Sequence, residues 1–137
     1  MILNPISRFY DYFYQINYRF QKKVTSDPEV FPTFIVSFCQ AANVLLILIV
    51  IYFVTNLKPI VTENFLQYSF VILLITFSAI NFHRYILGKE AKIFNSQNQL
   101  EQLKKNVFYI LFILSLVYVV ISIWLPFLAI YYFNEHY

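Results

Sequence analysis

Three long apolar stretches dominate the chain and predict three membrane-spanning helices. They cover residues 31–56, 65–87 and 107–133, and no Asp, Glu, Lys or Arg lies deep inside any of them. Each stretch exceeds the roughly 20 residues that cross about 30 Å of hydrocarbon at a rise of about 1.5 Å per residue. We therefore predict an all-α membrane protein with a bundle of three transmembrane helices, formed as a single domain over residues 1–137.

Residues 4–24 carry apolar and polar side chains with helical periodicity, and they predict an amphipathic helix in the membrane interface. Asn4 suits its cap and Pro5 its first position. Arg8, Asp11 and Gln15 lie opposite an apolar face. The aromatic rings of that face, which are the expected membrane-interface residues, are Phe9, Tyr10, Phe13 and Phe20. These rings either enter the acyl-chain boundary or pack on the protein's own spans, and the pattern allows both.

The connections between the stretches predict how the spans are arranged. Residues 57–64 are few and include Pro59, so the first two spans should form an antiparallel hairpin. Residues 88–106 are the longest polar segment, in which Ser96 and Gln99 have the spacing of a capping box. We therefore expect a helical hairpin over 88–106 that projects from the membrane on the cytoplasmic side.

Lys and Arg are distributed unevenly about the three stretches, which predicts the orientation of the chain. Four of the ten precede the first stretch, one lies in the first connection, five lie around the second connection, and none follows the third stretch. Because cytoplasmic segments are enriched in Lys and Arg, we expect the N-terminus in the cytoplasm and the C-terminus outside. The basic residues expected on the cytoplasmic side are Arg8, Arg19, Lys22, Lys23, Arg84, Lys89, Lys92, Lys104 and Lys105.

The composition indicates a lipid environment. The chain is 60% apolar and only 12% charged, whereas soluble domains carry about 25% charged residues. Its net charge of +3 is accounted for by orientation and by contact with anionic lipid headgroups, so nucleic acid is not an expected partner. The abundance of Phe, Ile, Tyr, Asn and Lys beside a single Gly indicates an AT-rich bacterial genome, and hence a bacterial inner membrane.

Neutral polar side chains within the spans are the remaining candidates for a functional site. Counted from the cytoplasmic ends of the spans, five of them fall in one layer, at depths of about 9–18 Å. The five are Gln40, Asn43, Ser78, Asn81 and Ser115. One interpretation is that they hydrogen-bond between helices, with Gln40 close to Asn81, and that each bond contributes about 0.6 kcal/mol. The other is that they line a water-filled path or a ligand pocket.

The pattern of reactive residues does not indicate catalysis, a metal or a cofactor. His83 and His136 are expected near opposite membrane surfaces, and neither has Cys, Asp or Glu neighbours at ligand spacing. The acidic residues are too few and too peripheral for a Ser-His-Asp set, and a single glycine excludes most phosphate-binding loops. Cys39, the one cysteine, lies in an apolar span and cannot form an internal disulfide. We expect no enzymatic activity and no cofactor.

These features favour a small non-enzymatic subunit or scaffold of a membrane complex, acting through helix–helix association with itself or with another membrane protein. The alternative is a homo-oligomeric pore-forming or membrane-disrupting effector that is triggered through its basic cytoplasmic side. Three spans enclose too little space for a pore in one copy, so either function requires association. The expected partners are the lipid bilayer and further membrane-spanning helices.

Overall fold

The computed structural model describes residues 5–55, 63–87 and 104–136, and every regular element in this part of the chain is a helix. Helix α1 is Pro5–Gln21, α2 is Val30–Val54, α3 is Glu63–Asn81 and α4 is Lys105–His136. A π-helix, Phe82–Leu87, continues α3 directly. The predicted all-α fold is confirmed.

Three of these helices are long and apolar enough to cross a membrane, as the apolar stretches predict. They are Val30–Val54, Asn64–Leu87 and Lys105–Tyr132. The chain therefore has the character of an integral membrane protein. Most of the hairpin expected over 88–106 lies outside the described residues, which include only its last three positions, 104–106. Asn4 and most of the connection 57–64 also lie outside the described residues.

Helix α2 is the centre of the bundle, because the other three helices all pack on it. In the most apolar part of α2, 39% of the residues are buried within the protein, against 6% for α3 with its π-helix and 17% for α4. Its buried positions include the small residues Ser37, Cys39, Ala41 and Ala42, which allow neighbouring helices to approach closely. Helices α3 and α4 pack on α2 rather than on each other.

Helix α1 packs against α2 and runs antiparallel to the first half of α4. The ring of Phe20 stacks on Phe112 with centroids 4.2 Å apart. Farther from the start of α4, the ring of Phe13 meets Tyr118 edge-on with centroids 5.2 Å apart. Residues 13–17 are all buried, so α1 is enclosed over a wide arc in the middle of its length.

The buried arc of α1 differs from the apolar face expected from its sequence. Gln15 was expected on the polar side and is 2% exposed, whereas Phe9 was expected on the apolar side and is 48% exposed. A helix that packs between neighbours buries a wider arc than one lying on a flat surface, which accounts for both differences. The aromatic rings of α1 were expected either to enter the acyl-chain boundary or to pack on the protein's own spans. These contacts correspond to the second placement. The position of α1 relative to a membrane surface stays a prediction.

The end of α3 differs from the regular helix expected as far as residue 87. From Phe82 to Leu87 the turns widen into a π-helix, a feature that is rare and often found at functional sites. Tyr85 in this segment is buried against α1, where its ring stacks on Tyr14 with centroids 4.0 Å apart and planes 4° from parallel. The π-helix therefore lies where α3 meets α1.

Candidate functional site

Asn81, at the end of α3, links α3 to α2 through its side-chain amide. Its Nδ2 donates hydrogen bonds to Gln40 Oε1 at 2.6 Å and to Ser37 Oγ at 3.0 Å. Ser37 in turn donates to the carbonyl oxygen of Thr33 at 2.7 Å. Asn81 and Ser37 are almost completely buried. The predicted approach of Gln40 and Asn81 is confirmed, with Ser37 as an additional member of the cluster.

Asn43 links three helices. Its Nδ2 donates to the hydroxyl oxygen of Tyr118 in α4 at 2.6 Å and to that of Tyr10 in α1 at 3.0 Å. The two hydroxyl oxygens lie 3.4 Å apart, so they also hydrogen-bond to each other. Tyr10, expected as a membrane-interface residue, therefore directs its hydroxyl into the bundle.

Asn17 supplies a second polar link between α1 and α4. Its Nδ2 donates to Ser115 Oγ at 3.1 Å and to the carbonyl oxygen of Phe13 at 2.8 Å. Asn17 is 2% exposed and Ser115 is 5% exposed, so this bond is shielded from solvent. Because an unsatisfied buried polar group destabilises a protein, the pair favours one specific register of α1 on α4.

An ion pair joins α1 to the π-helix. Arg84 Nη2 lies 2.8 Å from Asp11 Oδ2, and the Tyr85 hydroxyl donates to Asp11 Oδ1 at 2.7 Å. Two neighbouring residues of the π-helix, Arg84 and Tyr85, therefore bind the two carboxylate oxygens of Asp11. The charged side chains are partly exposed, at 39% for Arg84 and 22% for Asp11. The pair fixes the position of α1 more than it adds to stability, because partly solvated ion pairs contribute little.

Tyr14 is buried beside this ion pair. Burial raises the pKa of the Tyr14 hydroxyl above its ordinary value, and the nearby Glu29 carboxylate raises it further. The phenol is therefore held in its neutral form. Together with the stacked ring of Tyr85, it forms an uncharged aromatic contact between α1 and the π-helix.

The five residues expected to form one polar layer belong to separate clusters. Gln40 and Asn81 join α2 to α3. Asn43 joins α2 to α1 and α4, and Ser115 joins α4 to α1. Ser78 is half-buried and makes no hydrogen bond to the other four in the described part of the chain. The clusters thus serve as contacts between pairs and triples of helices.

Among the cluster members that sequence reasoning missed are Tyr118, Asn17 and Asp11, and a signal was available for the first two. Tyr118 lies three residues after Ser115 and shares its face of α4. Asn17 lies four residues after Phe13, which places it on the aromatic face of α1. Asp11 had no such signal, because its partner Arg84 is 73 residues away in the chain.

Most of the described basic residues lie at one end of the bundle, where α2 and α4 begin and the π-helix ends. We call this the basic end. Arg19 Cζ lies 4.4 Å and Lys23 Nζ 5.6 Å from the centroid of the Phe108 ring. Lys104 and Lys105 are exposed at the start of α4. Of the other residues in the expected cytoplasmic set, Lys22 follows the end of α1 and Arg84 lies in the π-helix, whereas Arg8 lies at the start of α1, about three helical turns before Arg19. Lys89 and Lys92 lie outside the described residues.

An apolar cleft of about 190 Å³ lies between α2, α3 and α4. Its floor on α2 is formed by Phe38, Ala42 and Leu45. At about 100° per residue, these positions lie on the side of α2 opposite Val36, which packs against α1. The other residues that line the cleft are Leu66, Gln67 and Phe70 of α3 and Ile123, Pro126, Phe127 and Ile130 of α4.

The described part of the chain contains no group of three or more His, Cys, Asp or Glu side chains placed to hold a metal ion. No family model, curated protein or solved structure matches the chain. Three features of the molecule itself bear on its function: the polar clusters between helices, the apolar cleft and the basic end.

Proposed function

We propose that the protein is a non-enzymatic subunit or scaffold of a membrane complex and works through helix–helix association. The observation that carries this proposal is the apolar cleft that α2, α3 and α4 line together. Ala42 and Leu45 at its floor are buried, so the cleft has room for side chains and not for a whole helix, which is about 10 Å across. Apolar side chains of a helix from a second copy or from another membrane protein would fill the cleft and hold that helix against α3 and α4.

The outer surfaces of α3 and α4 are apolar, as expected for helix faces in contact with lipid. On α3, the exposed side chains include Tyr68, Val71, Ile72 and Ile75. Thr76 is exposed but donates its hydroxyl to the Ile72 carbonyl oxygen at 2.8 Å, so it is satisfied within its own helix. A pore between copies requires polar side chains on the faces that line it. The polar clusters of this chain instead hydrogen-bond inside a single copy, which gives the pore alternative less support.

Native mass spectrometry of the purified protein with lipid retained tests the proposal. We expect wild type to carry a second copy or another membrane protein. Gln67→Trp places a large side chain at the exposed mouth of the cleft and should reduce that association at least severalfold. Tyr68→Trp is the matched control, because it introduces the same side chain one residue away and outside the cleft. Wild type found only as single copies, or equal association in both variants, would contradict the proposal. A closed ring of four or more copies would favour the pore.

We further propose that the membrane is a bacterial inner membrane, because the composition is typical of an AT-rich bacterial genome. We also propose that the basic end lies in the cytoplasm, because the distribution of Lys and Arg follows the positive-inside rule. A reporter active only outside the cytoplasm should be active when fused after Tyr137. The same reporter inserted near Asn98 should be inactive. The opposite result would reverse the orientation and leave the association proposal untouched.

A further inference from the structure

The basic end contains a cluster of cations arranged around one aromatic ring. Arg19 lies in the last turn of α1 and Lys23 in the turn that follows α1, and both lie over the ring of Phe108 from α4. Two positive charges held this close together repel each other, so the arrangement is unfavourable for these two side chains alone. The electron-rich face of the ring offsets part of that repulsion and holds both charged groups in place.

The ring itself is fixed by the packing of α1 on α4. Phe108 is 1% exposed and packs with Ile16, while its neighbours Phe20 and Phe112 stack on each other. The positions of Arg19 and Lys23 are therefore set by the same contacts that dock α1. A flexible basic tail would present the same charges without a defined geometry.

The start of α4 adds two more cations to this surface, because Lys105 is its first residue and Lys104 directly precedes it. Lys104 and Lys105 are exposed, and the Phe108 N–H donates to the Lys104 carbonyl oxygen at 3.1 Å, which places Lys104 one turn before the ring. The backbone N–H groups at the start of α4 add partial positive charge. One surface thus combines Arg19, Lys23, Lys104 and Lys105.

This cluster lies at the boundary of the apolar helices, since the residues of α4 from Val107 to Phe133 are apolar apart from Ser115 and Ser122. At that level, a membrane presents the phosphate groups of its lipids. Arg and Lys are the side chains that bind phosphate, Arg through its planar fork and Lys as a point charge. We propose that Arg19, Lys23, Lys104 and Lys105 form a binding site for the phosphate of an anionic phospholipid in the leaflet at the basic end. The acidic residues nearest in sequence are Asp27 and Glu29, which follow the end of α1, and Glu101, which is three residues before Lys104.

The site can be measured on the full-length protein in detergent by native mass spectrometry, with phosphatidylglycerol and phosphatidylcholine titrated separately. We expect one phosphatidylglycerol to bind more tightly than phosphatidylcholine. Lys23→Gln and Lys105→Gln should each weaken its binding about fivefold, since each cation near a lipid surface contributes on that scale. Arg8→Gln is the matched control: it removes the same charge from α1, about three helical turns before Arg19. This control should leave the affinity unchanged.

Two further measurements distinguish a defined binding site from diffuse electrostatic attraction. Phe108→Leu keeps an apolar side chain but removes the ring that holds Arg19 and Lys23, and should also weaken phosphatidylglycerol binding severalfold. Thermal unfolding of each variant identifies any that fail to fold, and Lys105→Gln, at an exposed position, should unfold as wild type does. Equal weakening by Arg8→Gln would show diffuse attraction and overturn the proposal. Soluble glycerol phosphate that binds as tightly as the lipid would overturn the assignment to a membrane lipid.

Discussion

Asn17 of α1 donates a hydrogen bond to Ser115 of α4 at 3.1 Å, although the two residues are 98 positions apart in the chain. Both side chains are buried, so the bond is part of the packing between α1 and α4. Aromatic contacts on either side, Phe20 with Phe112 and Phe13 with Tyr118, keep the two helices antiparallel over the same length. Helix α1 is therefore a fourth member of the bundle.

The close approach of these residues predicts a crosslink. With Cys39 replaced by Ala, the double variant Asn17→Cys/Ser115→Cys should form a disulfide under mild oxidation in membranes. Tyr12→Cys/Ser115→Cys should not, because Tyr12 is 48% exposed on another side of α1. Electrophoretic mobility before and after reduction reports the bond. Similar yields from both pairs would mean that α1 does not keep this position in the membrane.

The amide of Asn43 should stabilise the bundle through its two bonds to tyrosine hydroxyls. In membrane proteins such a bond contributes about 0.6 kcal/mol on average, so Asn43→Leu should lower the free energy of unfolding by about 1–2 kcal/mol. Tyr118→Phe removes one of these two bonds together with the bond between the Tyr118 and Tyr10 hydroxyls, so it should cost about as much. Unfolding in a denaturing detergent, followed by circular dichroism, measures both variants.

A double-mutant cycle supplies the control for this prediction. If Asn43 and Tyr118 interact directly, the combined variant should lose less than the sum of the single losses, because the shared bond is counted twice in that sum. Strict additivity would contradict a direct hydrogen bond between the two side chains.

The parts of the fold that follow from local sequence were predictable. An apolar run of more than about 20 residues has few stable arrangements in a bilayer, so α2, α3 and α4 could be placed within a few residues of their ends. The contact between Gln40 and Asn81 was also predictable. The first two spans are antiparallel neighbours, and depth along a helix follows directly from residue number.

The remaining contacts depend on tertiary packing that the local pattern does not encode. Helical-wheel counting placed Asp11 opposite the apolar face, yet both of its carboxylate oxygens are bound by the π-helix. Ser78 has the expected depth but its side chain belongs to none of the clusters, because depth alone does not determine which way a residue faces. The π-helix could not be predicted either, since the sequence of residues 82–87 suits an α-helix and the wider turns appear where α3 meets α1.

The contact of Asp11 with the π-helix predicts two effects of different size. Arg84→Gln removes a partly exposed ion pair and should lower the free energy of unfolding by less than about 1 kcal/mol. Asp11→Ala also removes the acceptor of the Tyr85 hydroxyl and should cost about 1–3 kcal/mol, because Tyr85 is buried. Unfolding at low and high salt tests the assignment. The loss in Arg84→Gln should shrink as salt rises, and equal losses in the two variants would contradict a separate role for Tyr85.

The aromatic residues of α1 give the last prediction, because their burial differs along one face. Phe13 is 4% exposed and packs with Val36 and Tyr85, whereas Phe9 is 48% exposed. Phe13→Ala should therefore lower the free energy of unfolding by about 3 kcal/mol and increase hydrogen exchange over residues 19–23. Phe9→Ala, with about half of its side chain outside the protein, should cost less than about 1.5 kcal/mol and leave that exchange almost unchanged. If α1 were held mainly by insertion of its rings into lipid, the two substitutions would have similar effects. A larger effect of Phe9→Ala would rule out docking on α2 and α4 as the main source of attachment.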